Sequence, residues 1–244
     1  MKRLDVLLFE KKLFPSREKA KEAIAQNLIK VDGKICSKAG EKVALDAQIE
    51  LAGETLKYVS RAGLKLEKAC QEFNLDFSNK VVLDVGASTG GFSDFALQNG
   101  ASRVVAVDVG TNQLHEKIKN NPTVVNMEQT DFRTMPALQE KIDIAVCDCS
   151  FISLKLLIDK FKQVLLPNAQ LVTLIKPQFE CGKQVASKTH GVIKDSQLQE
   201  KIKADVISAF ENNGFKLLGS CPSPILGTAG NKEFLALFVR TQTI

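Results

Sequence analysis

Val81-Val-Leu-Asp84-Val-Gly86-Ala-Ser-Thr-Gly90-Gly91-Phe92 is the stretch that decides the fold. Val81, Val82, Leu83 and Val85 make a short, β-branched-rich apolar run, the pattern of a strand buried on both faces. A turn with three glycines follows, and Phe92–Gln98 reads as a helix. Strand, glycine turn and helix form a loop suited to an adenosine cofactor, because glycine lacks a Cβ and backbone N–H groups can approach the ligand. The second glycine comes four residues after the first, which is not the dinucleotide fingerprint. Asp84, just before the turn, would repel a pyrophosphate. It suits S-adenosylmethionine, which has no phosphate and carries an ammonium and a sulfonium.

Downstream, the pattern from Lys80 is βα repeated, which implies an α/β fold with a mainly parallel, Rossmann-like sheet and helices on both faces. Strands are expected over 81–85, 103–108, 123–127, 142–148 and 169–176. In open sheets ligands gather outside the carboxyl ends of the strands. Asp84, Asp108, Asp131, Asp148 and Lys176 all fall at such ends. Asp108 is 24 residues after Asp84 and suitably placed to accept ribose hydroxyls. Residues 180–195 are polar and aperiodic, and read as a mobile loop over the site. Ser196-x-x-Gln199 reads as a capping box for a helix over 197–211. A strand near 215–221 precedes a last strand ending at Arg240. If that strand is antiparallel, Glu233 joins the same edge.

Upstream, residues 1–53 read as a separate small α+β module. Leu4, Leu7, Leu8 and Leu13, with Phe9, give a helical stripe, Pro15 breaks it, and Ser16 caps a second helix carrying Ala20, Ala23, Ile24 and Leu28. Ile29-Lys-Val-Asp32-Gly33-Lys-Ile35 is a hairpin signal, and Val43–Leu51 supplies more strand. Residues 54–58 read as a linker, and 59–244 as the second domain. Its first helix runs on to Phe73, with Arg61, Lys65 and Lys68 near one another on one face.

Composition narrows the function. A hydrophobic fraction of 44% supports a real core, and 25% charged residues fits a soluble chain. The net charge of +5 is compatible with a nucleic-acid partner. No apolar run approaches a membrane span, and the N-terminus lacks the form of a signal peptide. The six cysteines show neither a disulfide framework nor a completed zinc site, so reduced thiols, a cytoplasmic location and no metal are expected.

Two resemblances extend this reading. Leu4…Leu8, Ser16-Arg17-Glu-Lys19-Ala-Lys21-Glu-Ala-Ile24 and Ile29-Lys30-Val-Asp-Gly-Lys34 resemble the S4 RNA-binding domain of ribosomal proteins, pseudouridine synthases and tyrosyl-tRNA synthetases. The resemblance implies an RNA face from Lys12, Arg17, Lys19, Lys21, Lys30 and Lys34, and Arg61 and Lys68 of the second domain are further RNA-binding candidates; such cations neutralise phosphates without reading bases. In the second domain the matching motifs are Ser60-Arg-Ala-Gly-Leu-Lys65-Leu, Leu83–Phe92, Asp108-Val-Gly, Gln113-Leu-His-Glu-Lys117, Asp148-Cys-Ser-Phe-Ile-Ser153, Ile175-Lys-Pro-Gln-Phe-Glu180, Gly191-Val-Ile-Lys-Asp195 and Gly230-Asn-Lys-Glu-Phe234. They resemble the FtsJ-type ribose 2′-O-methyltransferases and, with the S4 module, the TlyA (haemolysin A) family of ribosomal RNA 2′-O-methyltransferases. Thr111-Asn112 departs from the aromatic and glycine more usual there.

The resemblance implies a catalytic tetrad of Lys65, Asp148, Lys176 and Glu233. A ribose hydroxyl attacking a sulfonium must lose its proton. A neutral Lys176 would take it; a charged one would stabilise the forming alkoxide. Asp148 and Glu233 would hold the lysines. S-adenosylmethionine would lie against Asp84, Gly86, Ala87, Ser88, Thr89, Gly90, Gly91 and Phe92, with Asp108 and Val109 at its ribose and Asp131 and Phe132 at its adenine. Phe151 and Phe179 are candidates to stack the target nucleotide. The implied partner is ribosomal RNA or a ribosomal subunit, with a large-subunit cytidine as target and the small subunit as a possible second. The chain's end soon after its last strand hints at the narrower specificity, and a monomer is favoured. A haemolysin-type membrane-active protein and a non-catalytic RNA binder are the competing readings.

Overall fold

The computed structural model describes residues 1–14, 16–25, 28–51, 57–227 and 230–241, with the side chains of Lys19, Glu22, Ala25 and Lys183 left aside. Pro15, residues 54–56 of the expected linker and the last three residues lie outside the described set. The chain divides into two compact units, Met1–Lys57 and Tyr58–Ile244.

The first unit runs β1 (Lys2–Arg3), α1 (Leu4–Glu10), α2 (Arg17–Ala25), β2 (Ile29–Val31), β3 (Lys34–Ile35), β4 (Lys42–Val43) and β5 (Ile49–Leu51). Leu4, Leu8, Ala20, Ile24 and Ile29 form its core. Phe9 and Leu13, expected on the buried stripe, are exposed. The β2–β3 hairpin turns through Asp32 (φ 49°) and Gly33 (φ 76°). Both are left-handed, as a two-residue turn that follows the strand twist requires. The strand expected within Val43–Leu51 comes as two short strands in different sheets: β4 pairs with β1, and β5 with β2.

The second unit opens with α3 (Ala62–Phe73), β6 (Val81–Val85), α4 (Gly91–Gln98), β7 (Arg103–Val107), α5 (Glu116–Lys119), β8 (Val124–Met127) and β9 (Ile142–Cys147). After a 3₁₀ turn at Leu154–Leu157 come α6 (Ile158–Val164), β10 (Leu165–Ile175), α7 (Pro177–Glu180), α8 (Gly182–Lys188), α9 (Ser196–Glu211), β11 (Phe215–Pro222) and β12 (Phe234–Arg240). Among the described residues the sheet order is β11-β12-β10-β9-β6-β7-β8. The pairs from β10 through β8 are parallel, and β12 is antiparallel to both its neighbours. Alternate strand residues face two cores. Leu83, Val85, Val105 and Phe161 lie in one, and Val82, Val104, Phe77 and Phe95 in the other. A strand covered on both sides has no polar alternation, which is why 81–85 reads as an unbroken apolar run.

Three details of the second unit depart from expectation. Tyr58, placed in the linker, is buried against Phe95, with ring centroids 5.4 Å apart. Residues 180–195 are not a loop throughout, since α7 ends at Glu180 and α8 follows. Asn231 holds the remainder: its Nδ2 donates to the Gly191 carbonyl and its Oδ1 accepts from Ile193 N–H. The cap of α9 is Asp195, whose Oδ1 accepts from the N–H groups of Gln197 and Leu198. Gln199 is buried and donates to the Ile193 carbonyl instead of closing a box with Ser196.

Candidate active site

The carboxyl ends of β6, β9 and β10 surround a cleft of about 160 Å³. Asp84, the loop Gly86–Thr89, Phe92, Asp148, Ser150 and Lys176 line it, together with Ala62 of the neighbouring helix. Gly86 adopts φ 80°, and a Cβ there would come within 3.0 Å of the Asp148 carbonyl oxygen. Glycine is therefore what allows the loop to lie against the end of β9. Gly90, at φ 88°, starts α4.

Four charged side chains meet at this edge. Lys65 Nζ donates to Glu233 Oε2 at 2.9 Å and to Asp148 Oδ2 at 3.2 Å. Lys176 Nζ lies 2.5 Å from Asp148 Oδ1, an ion pair, and donates to Ser150 Oγ at 2.9 Å. The result is a connected row, Glu233–Lys65–Asp148–Lys176, assembled from α3, β9, β10 and the approach to β12. Burial alone would lower the Lys65 ammonium, but the Asp148 and Glu233 carboxylates outweigh it and raise it. Burial likewise opposes ionisation of Asp148, and Lys176 and then Lys65 overcome that and hold its carboxyl below the ordinary range. Lys65 is buried, while Arg61 and Lys68, near it on the same helix, are more accessible. Gly227 leaves room for the end of the row, since a Cβ on it would come 2.0 Å from Glu233 Oε1.

Asp84 is different. It is fully buried, Ser93 Oγ donates to its Oδ2 at 2.6 Å, and its Oδ1 has no hydrogen-bond partner in the protein. Burial pushes this carboxyl up to about 7, against the pull of Ser93. A buried acceptor without a donor, at the wall of a cleft, fits a cationic group of a ligand. Asp108 takes the N–H groups of Ser88 and Gly110, one on each oxygen, and each oxygen keeps a further lone pair.

The other expected residues divide. Phe92 is buried at the cleft, and Val109 is exposed. Asp131 and Phe132 do not line the cleft described above. The Phe132 ring sits in the core against Phe161, its centroid 4.7 Å away, and the Asp131 carboxylate is gripped by Arg133. Phe151 is 91% exposed, with φ 65°, a strained conformation for an aromatic residue. Its ring lies 5.0 Å from that of Phe179, and Lys176 Nζ is 5.8 Å from the Phe179 centroid. Ser150 and Asp94 were not singled out by the sequence reading. Asp94 is structural: it accepts from Val59 N–H and pairs with Lys117.

Of the candidate RNA-binding residues, Lys12, Arg17, Lys21 and Lys34 are exposed and Lys30 half-buried, while the Lys19 side chain lies outside the described set. Arg17 pairs with the buried Asp5, and Lys68 with Glu72. Arg61 is half-buried. Among the described residues no group of His, Cys, Asp and Glu is arranged to hold a metal ion. No described helix is long and apolar enough to cross a membrane.

Comparison with known proteins follows the same division. An S4 domain model matches residues 2–49, and an FtsJ-like methyltransferase model matches residues 58–240. Hemolysin A of Brachyspira hyodysenteriae is 43% identical, over 97% of this chain and 99% of its own length. The 16S/23S rRNA (cytidine-2′-O)-methyltransferase TlyA of Mycobacterium tuberculosis is 35% identical, over 99% of this chain and 90% of its own. A solved structure from Streptococcus thermophilus that carries a hemolysin name superposes with a TM-score of 0.78 at 41% identity, covering 99% of this chain and 89% of that one. The chain belongs to the TlyA, or haemolysin A-like, family: FtsJ-like methyltransferases preceded by an S4 domain.

Proposed function

We propose that this chain transfers a methyl group from S-adenosylmethionine to a ribose 2′-hydroxyl of ribosomal RNA, at a cytidine, with Lys65, Asp148, Lys176 and Glu233 as the working residues. The observation that carries the reading is the connected row of those four side chains beside the glycine-loop cleft. Exposed ion pairs add only about 0–1 kcal/mol each, and buried ones are rarely the cheapest way to stabilise a core. Two lysines and two acids gathered at a cleft edge are better explained by chemistry.

When bound, S-adenosylmethionine supplies an electrophilic methyl group on a sulfonium. The partnerless Oδ1 of Asp84 is the acceptor for its ammonium, the Gly86–Phe92 loop encloses its methionine part, and Asp108 takes the ribose hydroxyls. Asp131 remains the candidate at the adenine end, with Phe132 reduced to its main chain. Lys176 faces the acceptor hydroxyl. As an amine it removes the 2′-proton; as an ammonium it stabilises the alkoxide. Asp148 holds Lys176 in place, and Lys65, kept charged by Glu233 and Asp148, compensates the buried carboxylates. Holding the hydroxyl in line with the methyl group does the rest.

The exposed Phe151, backed by Phe179, gives the target nucleotide a ring to stack on; such contacts are worth about 1–3 kcal/mol per base. Lys12, Arg17, Lys19, Lys21, Lys30 and Lys34 of the S4 unit, with Arg61 and Lys68, supply phosphate contacts. The relative from Mycobacterium tuberculosis is named for both ribosomal RNAs. Large-subunit RNA is the first substrate here and small-subunit RNA the second.

The test is transfer of labelled methyl from S-adenosylmethionine to ribosomal subunits by the purified chain and by Lys176→Ala. The expected result is label on a cytidine 2′-oxygen with the wild type and a loss of about 10²–10⁴-fold in the variant. No transfer by the wild type overturns the function, and an active variant removes Lys176 from the chemistry.

A further inference from the structure

We infer that Ser150 is a positioning residue for the methyl transfer, acting through Lys176 by fixing which direction of its nitrogen faces the acceptor hydroxyl. The inference rests on the function proposed above and goes a residue further. Lys176 Nζ has two neighbours at the cleft that differ in kind: Ser150 Oγ, to which it donates a hydrogen bond at 2.9 Å, and Asp148 Oδ1, an ion-pair contact at 2.5 Å that makes no hydrogen bond. Ser150 is exposed and itself lines the cleft, whereas Asp148 is largely shielded.

The geometry of a tetrahedral nitrogen supplies the reason. As an amine, Lys176 has two N–H bonds and one lone pair besides its bond to Cε. With one N–H donated to Ser150 Oγ and the other drawn by charge toward the Asp148 carboxylate, the lone pair takes the one remaining direction. With Asp148 as the sole partner, N–H and lone pair exchange places by a simple rotation, and half of those arrangements present the wrong group. As an ammonium, the same two partners leave one N–H for the developing alkoxide. Ser150 therefore sets the orientation in either protonation state.

The rest of the segment is built to keep Ser150 in place. Glu180, four residues after Lys176, accepts from Ser153 Oγ at 2.5 Å and from Leu154 N–H at 2.7 Å. That clamp ties the end of the Asp148–Ser153 segment to the helix that begins beside Lys176. Lys176 and Ser150 are thus carried on two segments held together by a half-buried carboxylate rather than on independent loops.

The experiment compares wild type, Ser150→Ala and Ser150→Thr in single-turnover methyl transfer to ribosomal subunits, with the KM for the subunit and the Kd for S-adenosylmethionine measured alongside. The alanine variant should transfer about tenfold more slowly at saturation, the scale of one lost hydrogen bond, with KM and Kd within about twofold. Threonine keeps the hydroxyl and should restore the rate to within about threefold of wild type. An alanine variant at the wild-type rate, a threonine variant as slow as alanine, or a loss confined to KM or Kd overturns the assignment of Ser150 alone. A wild-type chain that transfers nothing overturns the proposed function and this inference with it.

Discussion

Asp5 in the first unit and Asp148 in the second are each gripped by two cations, and the consequences differ. Asp5 is fully covered, but its partners Arg3 and Arg17 are about half exposed, with side-chain exposures of 50% and 45%. The Arg3 hydrogen bond, with Arg17 behind it and burial opposing, holds the Asp5 carboxyl down at about 2. Here the acid is the buried member, and it presents two guanidinium groups to solvent. At Asp148 the cations are buried as well: Lys65 and Lys176 are 10% and 8% exposed at their side chains. Two lysines out of water beside a cleft cannot serve as a solvated surface. Burial of the cations, more than the presence of an ion pair, separates the two clusters, and a buried, charge-coupled group at a cleft is the kind that the proposed chemistry requires.

The sharpest way to break this comparison is to remove each acid in turn. Asp148→Asn leaves two buried ammonium groups with too little negative charge, and should destabilise the second unit by about 3–5 kcal/mol in denaturant unfolding. A loss below about 1 kcal/mol would place the lysines effectively in water and erase the contrast.

Asp84 offers the next largest effect, because it is a buried carboxyl with no cation at all. Its folded-state value of about 7 lies above the ordinary 3.8. Its protonation therefore stabilises the fold fully below about pH 4, and that contribution is lost as pH rises through about 7. Asp84→Asn should raise the melting temperature of the cofactor-free chain by a few degrees at pH 8 and weaken S-adenosylmethionine about 10–100-fold. Wild-type affinity for the cofactor should climb between pH 6 and 8, since an ammonium ligand favours the ionised acid. Flat affinity across that range in calorimetric titrations would remove Asp84 from the cofactor.

Asp5→Asn should cost less. The lowered value contributes stability above about pH 4 that disappears as pH falls through about 2. That shift corresponds to at most ~2.5 kcal/mol, and solvent around the half-exposed guanidinium groups reduces it to about 1 kcal/mol. A penalty equal to that of Asp148→Asn would show that exposure of the cations is irrelevant. The smallest effect belongs to the surface. Lys68→Ala breaks the exposed pair with Glu72 and should change stability by less than about 0.5 kcal/mol. If Lys68 meets a phosphate, the salt slope of RNA binding falls by about one. An unchanged slope strikes it from the RNA face.

Much of the fold was legible because its signals are local. The glycine loop after Val81–Val85, the Asp32-Gly33 hairpin and the alternating strands and helices each depend on neighbours within a few residues. The misses share a cause as well. Helix α8 carries no apolar stripe, so periodicity cannot find it. Asp195 outcompetes Ser196 as cap because its carboxylate reaches two N–H groups at once. Phe132 looked like a wall of the adenine site, yet the core took its ring. The four residues of the charged row could be named from motifs, but Ser150 could not be singled out, since nothing in its sequence neighbourhood marks a partner of Lys176.

The amino-acid order by itself determined the succession of strands and helices and set five polar residues at the carboxyl ends of strands, because backbone period and turn chemistry are properties of short segments. Only the tertiary structure decided that Lys65 and Glu233, 168 residues apart, share a hydrogen bond, that Asp84 lies buried with one oxygen unserved, and that Phe151 stays in the open. Desolvation and charge pairing are sums over everything that packs around a group, and most of what packs around these groups comes from distant parts of the chain.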